Sequence, residues 1–175
     1  MAPEIFDLER LRLRRPKMTD AEALLAIGSD PEVARFASWP LSTSMEGMLG
    51  RLRQRATDWE SGAEYYWVIT LAHDDRAIGA IASFVDKDAA EFGYLLDRHY
   101  WGNGYATEAA RAIVAWAFSM PAIRRVWATC DTENVASVRV LEKAGLAYES
   151  TLRQAIVRPN ISNEPRDAFL YSRVR

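Results

Sequence analysis

The spacing of apolar residues shifts along this 175-residue chain, and each shift predicts a change of element. Leu11 and Leu13 alternate with Arg10, Arg12 and Arg14, the two-residue period of a half-buried strand. Thr19-Asp20-Ala21-Glu22 has the form of a capping box, so a helix is expected to start there and to end at Gly28. Asp30-Pro31 repeats the start signal, with proline in the first turn. Met45, Met48, Leu49, Leu52, Ala56 and Trp59 share one face of a longer helix that Gly62 closes; Arg51, Arg53 and Arg55 lie mostly off that face. From Tyr65 the period becomes that of strands. Tyr65–Leu71 and Ala77–Phe84 are joined by the turn His73-Asp74-Asp75-Arg76, and Ala89–Leu96 follows Asp86-Lys87-Asp88, which predicts an antiparallel meander. A helix over Tyr105–Phe118 breaks at Pro121, and Arg124–Asp131 is a further strand. Strand, helix and strand at this spacing form a crossover unit, so Ala89–Leu96 and Arg124–Asp131 should run parallel. Asn134 caps a helix ending at Gly145, and the last strands, around Leu146–Val157 and Ala168–Val174, flank Pro159-Asn160. The expected architecture is α/β (α+β), a mixed and mostly antiparallel sheet of about seven strands with helices on both faces.

Composition narrows the class. Hydrophobic residues make up 49% and charged residues 26%, an ordinary globular balance, and the length suits one domain over residues 1–175. A formal net charge of −2 supplies no bulk attraction to DNA, RNA or an anionic membrane. No apolar run is long enough to span a bilayer, and the charged start, MAPEIFDLERLRLRR, lacks a signal-peptide core. The lone cysteine, Cys130, excludes an intrachain disulfide and suits a reducing cytoplasmic location. His73, His99 and Cys130 match no recognised metal-ligand spacing, so no metal is expected.

The chemistry concentrates between Glu91 and Phe118. The strand end Glu91–Leu96 runs into the loop Gly102-Asn103-Gly104-Tyr105-Ala106, then into a helix whose Ala109, Ile113, Trp116 and Ala117 share a face. Small residues in such a loop let backbone N–H groups converge at a helix N-terminus, which is an anion site, usually for phosphate. The loop is a poor dinucleotide fingerprint: Thr107 occupies the third glycine position, and the motif follows a meander. It is no P-loop either, since no Gly-Lys-Ser/Thr stands at the required spacing. A bland strand–helix turn is the alternative. Asn134-Val135-Ala136-Ser137 is the second cue. Asn134 is a preferred N-cap, and Ser137 can support the first turn; alternatively, both face a ligand lying between the parallel strands. The Gly102 loop follows the carboxyl end of one parallel strand and Asn134 that of the other, so both border the crevice that opens where such strands diverge.

Taken together, the motifs carry a family resemblance. They are Glu9-Arg10-Leu11-Arg12-Leu13-Arg14, Asp30-Pro31-Glu32-Val33, Glu91-Phe92-Gly93-Tyr94, the run from Tyr100 to Ala109, Asn134-x-x-Ser137-x-Arg139-Val140-Leu141-Glu142-Lys143-x-Gly145, and Arg166-Asp167-x-x-Leu170-Tyr171. In this order the chain resembles the GNAT superfamily of acyl-CoA-dependent N-acetyltransferases, in the branch typified by the ribosomal-protein N-terminal acetyltransferases RimJ and RimL. The resemblance implies a central parallel pair splayed around acetyl-CoA as co-substrate. It implies that the backbone of Gly102, Asn103, Gly104, Tyr105, Ala106 and Thr107 holds the pyrophosphate. Tyr94, Leu95 and Leu96 would pair with the pantetheine arm like an added strand, Asn134 would bond pantetheine, and Ser137 would lie near the sulfur. A pyrophosphate gains there from converging donors and the helix dipole. The wider superfamily has Gln or Arg where Trp101 stands and often a general-acid Tyr where Leu141 stands; the RimJ/RimL branch shares both departures, with Ser in the place of Ser137. Leu146 replaces a common Phe after Gly145. Family members often dimerise, so a homodimer is left open.

The reaction implied is acetyl transfer to a primary amine. An α-amine (reference pKa about 8) or a lysine amine (about 10.4) must shed a proton first. A base and a stabiliser of the oxyanion are therefore needed. Glu91 is the candidate base, directly or through water, on the strand face of Gly93 and Leu95; a solvated or ion-paired strand-end glutamate is the alternative. Ser137 is the candidate aid to the leaving thiolate, and a backbone N–H near Leu95 or Leu96 the candidate carbonyl polariser. Glu108, in a first helical turn, reads as structural. Cys130 reads as a small buried hydrophobe in preference to a nucleophile partnered by His99. Arg51, Arg53 and Arg55 read as a solvated face in preference to a phosphate or RNA contact. Arg139 and Lys143 are better placed for the CoA 3′-phosphate. Trp39, Tyr65, Tyr66 and Trp67 read as core, with a partial acceptor lining as the alternative. The expected acceptor is a protein or peptide N-terminal α-amine. A small amine (antibiotic, polyamine or amino acid) and a non-catalytic acyl-CoA-binding module are the competing readings. An open groove would mark a protein acceptor, and a closed polar pocket a small one.

Overall fold

The computed structural model describes residues 2–175. Its strands are β1 (Ile5–Asp7), β2 (Leu11–Arg14), β3 (Tyr65–Leu71), β4 (Asp74–Asp86), β5 (Ala89–Leu96), β6 (Arg125–Asp131), β7 (Ala147–Arg158) and β8 (Ser162–Val174). They form one eight-stranded sheet in the order β1-β2-β3-β4-β5-β6-β8-β7. Only β5 and β6 pair in parallel; every other neighbour is antiparallel. The helices are α1 (Ala21–Ser29), α2 (Pro31–Ala34), α3 (Met45–Ser61), α4 (Tyr105–Ser119) and α5 (Val135–Lys143). The mixed sheet and its parallel pair agree with the sequence reading. The strand that raises the count to eight is β1, whose three residues are too few to display a period.

Strand alternation sorts the core into two layers. Trp67, Ile69, Phe92, Leu96, Val126 and Ala128 pack with Ala109, Ile113, Trp116 and Ala117 of α4 and Leu141 of α5. Tyr66, Val68, Ala77 and Ala80 meet Ala21 and Leu24 of α1 and Met48 and Leu52 of α3. Trp67 stands edge-on to both Trp59 and Trp116, with centroids 5.1 and 5.2 Å apart. Each such pair contributes roughly 0.5–1.5 kcal/mol beyond its buried area.

Several local expectations change. Thr19 caps nothing: a 3-10 turn over Met18–Asp20 precedes α1, and the Asp20 carboxylate accepts from the Lys17 N–H at 2.7 Å. Asp20 is buried because Arg14 donates to both its oxygens, at 2.9 and 2.8 Å, and the buried pair outweighs a capping role. Gly28 does not end α1. The helix continues to Ser29, and a Cβ on Gly28 would lie 2.9 Å from Ser42 Oγ, so the Ser42 side chain would have to shift. On α3, Met48, Leu52 and Trp59 are buried, whereas Met45 and Ala56 are exposed. The arginine run on α3 is more than a solvated face: Arg51 donates to Ser42 Oγ at 2.7 Å, and Arg55 bonds Glu64 and stacks 3.4 Å from the Tyr66 ring centroid.

Candidate active site

The parallel pairing of β5 and β6 covers only Ala89↔Arg125, Ala90↔Val126 and Glu91↔Trp127. Beyond Glu91 the strands part. Residues 92–96 stay bonded to β4, and residues 128–131 stay bonded to β8. The sheet therefore opens in its middle into a cleft, and one backbone edge of β5 has no strand partner there. Gly79 helps set β5 in place: a Cβ on it would lie 2.5 Å from the Leu95 carbonyl oxygen, so only glycine lets β4 approach so closely.

At the mouth of this cleft, Gly102 and Gly104 both adopt left-handed backbone angles, φ +79° and +78°. Gly104 is the N-cap of α4 and offers no side chain to the first-turn N–H groups; the first helical bond runs from Glu108 N–H to the Gly104 carbonyl. An uncapped helix start of this kind binds anions. The loop is pinned from two sides. Trp101 Nε1 donates to the Leu96 carbonyl at 2.8 Å, which gives this exposed tryptophan a role in holding the loop to β5. Arg10 donates to Glu108 through its backbone N–H (2.9 Å) and Nε (2.7 Å) and to the Asn103 carbonyl (2.9 Å). Glu108 is thus structural, as expected, through an ion pair as well as the helix dipole.

Across the cleft, Asn134 Oδ1 accepts the Ser137 N–H at 3.1 Å as the N-cap of α5, while its Nδ2 has no partner among the described residues. The Tyr94 hydroxyl donates to Ser137 Oγ at 3.2 Å, bridging β5 and α5. Sequence reasoning placed Tyr94 at the pantetheine edge but missed this side-chain contact; the odd-even phase of β5, which puts Tyr94 on the same side as Phe92, was the available signal. Desolvation pushes the Tyr94 phenol up to about 12. Cys130 lies beside Ser137, and burial above all pushes its thiol up to about 11. Two observations count against the covalent reading: the thiolate is disfavoured, and among the described residues His99 bonds Asp97 and makes no hydrogen bond to Cys130.

Glu91 sits at the vertex of the splay, partly buried, and its carboxyl is raised above the usual range by desolvation. It shares a strand phase with Leu95, which packs toward α1 and α3, so it faces the side of the sheet opposite Tyr94. On that side, the β7–β8 tip is tied to the α2–α3 segment. Asn160 Nδ2 donates to the Ala34 and Trp39 carbonyls at 2.7 and 2.9 Å, and its Oδ1 accepts the Leu41 N–H at 3.1 Å. No short-range sequence signal reveals a contact across more than a hundred residues. Tyr66 and Trp67 are buried and Tyr65 packs against Trp59, whereas Trp39 stays partly exposed beside this tie. Asp131, fully buried, takes Arg166 Nε and Nη2 at 2.8 and 3.2 Å and accepts the Glu133 N–H, anchoring the turn into α5. Lys143 borders an open depression with Arg10, Gly104, Thr107 and Arg111 on the outer face of α4; exposed Arg139 does not.

Residues 10–147 match the family model described as acetyltransferase (GNAT) domain. The chain belongs to the GNAT acetyltransferase family. It is an N-acetyltransferase by that membership, an acyl-transferring enzyme. It is 31% identical to the uncharacterized N-acetyltransferase YoaA of Bacillus subtilis over 174 residues, covering 98% of this chain and 97% of the relative. A crystal structure of a GNAT-family acetyltransferase from Bacillus anthracis superposes with a TM-score of 0.85 at 25% identity, over 97% of this chain and 98% of that one. RimL, a ribosomal L7/L12 α-N-protein acetyltransferase solved with coenzyme A, has a TM-score of 0.87 at 21% identity over 98% of each chain. Leu141, where the wider family often carries a tyrosine, is 1% exposed and belongs to the main core.

Proposed function

We propose that this GNAT enzyme moves an acetyl group from acetyl-CoA to the α-amine of a protein or peptide N-terminus, in the cytoplasm, with residues 1–175 acting as one catalytic domain. The donor site fits its ligand on structural grounds. The uncapped start of α4 with Gly102, Asn103, Gly104, Tyr105, Ala106 and Thr107 suits a pyrophosphate. The free edge of β5 at Tyr94, Leu95 and Leu96 suits an amide-bearing arm, and Asn134 Nδ2 offers it a donor. Acetyl-CoA supplies an activated thioester; the amine nitrogen bonds to its carbonyl carbon as the carbon–sulfur bond breaks.

The observation that carries the acceptor class is Glu91. Its desolvated carboxyl is a somewhat stronger base than a surface glutamate. It takes the ammonium proton directly or through water. Such a modest base suits an α-amine of pKa about 8 better than a lysine near 10.4. The full-length likeness to RimL supports the same class. On the leaving side, Ser137 accepts from Tyr94, which leaves the serine proton free for the thiolate. A phenol near 12 does not surrender its proton to a thiolate, whose own reference pKa is about 8.5, so the pair stabilises the thiolate by hydrogen bonding, and solvent protonates it. The Asn160 tie favours a second reading, a small amine, because it bounds the acceptor side. The test is acetyl-CoA turnover against a panel of peptides and small amines, read by mass spectrometry. Turnover confined to small amines overturns the peptide assignment.

A further inference from the structure

Arg158 closes β7, where it pairs with Ser162 across the β7–β8 turn. It is 7% exposed, yet its guanidinium has no hydrogen-bond or ion-pair partner among the described residues. The other buried guanidinium, Arg14, is held by Asp20 and Asp75. Asp131 lies within electrostatic reach of Arg158, but both its oxygens are occupied by Arg166. Arg166 also takes Glu133, and as a second cation it repels Arg158. The Arg158 nitrogens are nonetheless reachable. Among the described buried side-chain nitrogens and oxygens without a partner, only Arg125 Nε is sealed from solvent.

Its surroundings are those of the cleft. Arg158 stands over the carboxyl end of β6, near Cys130 and Asp131, and Cys130 lies beside Ser137. Asn160, two residues on, ties the same hairpin tip to the α2–α3 segment on the acceptor side. A buried cation that no carboxylate contacts directly, and that stays open to solvent in this position, is able to pair with an anion from outside. We infer that Arg158 is an acceptor-specificity residue that receives a carboxylate carried by the amine substrate close to its reacting nitrogen. The planar fork matches a carboxylate through two parallel hydrogen bonds, which a lysine cannot reproduce. An acidic side chain next to a peptide N-terminus and the carboxylate of a free amino acid both present this group. The inference rests on the N-acetyl transfer proposed above.

The test uses the full-length enzyme, acetyl-CoA and matched acceptors differing only in charge: peptides beginning Ser-Glu against Ser-Gln, and free amino acids against their amides. Specificity constants are read by thiol release. The acidic member is expected to be preferred by at least about tenfold in its pair, because its absence leaves the guanidinium unpaired. Arg158→Met should bring the ratio close to unity, and Arg158→Lys should retain part of it. Calorimetric titration with acetyl-CoA verifies that each variant is folded. Equal use of both members by the wild-type enzyme overturns the inference without any variant, and so does a ratio that survives Arg158→Met. Silent peptides alongside a carboxylate preference among small amines would uphold Arg158 and overturn the peptide assignment.

Discussion

The two sides of the central cleft are built on different plans. The side of the Gly102 loop offers mostly backbone: the uncapped start of α4 and the unpaired edge of β5. The side of α1, α3 and the β7–β8 tip offers side chains: Glu91, Trp39, Asn160 and Arg158. Backbone recognition tolerates many sequences, provided glycine sits where φ is positive. Side-chain recognition changes with each substitution. Under the function proposed above, the first plan would keep a donor constant while the second would let the acceptor vary.

Substitutions can break this contrast, and the largest effect is expected at Glu91. Glu91→Gln should lower kcat/KM by about a hundredfold or more, as loss of a general base does. It should also abolish the acidic limb of the pH–rate profile, which in the wild-type enzyme lies above the ordinary carboxylate range. Wild-type turnover across pH would remove Glu91 from the role. The same variant has a stability signature. The folded carboxyl has a pKa above its unfolded value, so its contribution is fully present below the unfolded pKa and is lost as pH rises through the folded one. Glu91→Gln should therefore raise the melting temperature at neutral pH and leave it unchanged well below the carboxylate range, as differential scanning calorimetry would detect.

Gly104→Val comes next. A branched residue at φ +78° is strained by about 1–3 kcal/mol. Acetyl-CoA affinity should fall by about tenfold to a hundredfold in calorimetry, while the acceptor KM stays within a few-fold. Asn160→Ala inverts the pattern: it frees the tip, raises the acceptor KM by about tenfold, and leaves acetyl-CoA binding intact. If both constants moved together in either variant, the two-plan description would be wrong. The smallest effect is expected at Tyr94→Phe. Loss of one hydrogen bond to Ser137 should cost a few-fold to about tenfold in kcat with little change in either KM.

The same contrast governs what the chain revealed before its structure was known. The Gly102 loop, the Asn134 cap and the parallel pair were legible because each depends on local chemistry: a positive φ, a side-chain cap, a crossover of fixed handedness. Glu91 was legible as a candidate from strand phase. Thr19 misled because a capping pattern is short, and a buried Arg14–Asp20 pair overrode it. Gly28 misled because its smallness serves packing against Ser42 in mid-helix. The Asn160 tie, the Arg166–Asp131 anchor and the isolation of Arg158 depend on contacts between distant segments, which no local pattern encodes. The Tyr94–Ser137 contact lay between these extremes: both residues were singled out, but only folding showed that they touch.

The short β5–β6 register has a mechanical consequence. Among the described residues, the pairs at 89–91 and 125–127 are the only ladder between the first five strands and the last three, so the sheet carries a seam at its centre. The burden of holding the halves together falls on α4, which packs on β2, β4 and β5 as well as β6. A molecule laid along β5 acts as a missing stave, bracing the seam from within. Saturation with the acyl donor should thus slow hydrogen exchange in β6 and β8, strands far from the Gly102 loop, as well as in β5 itself.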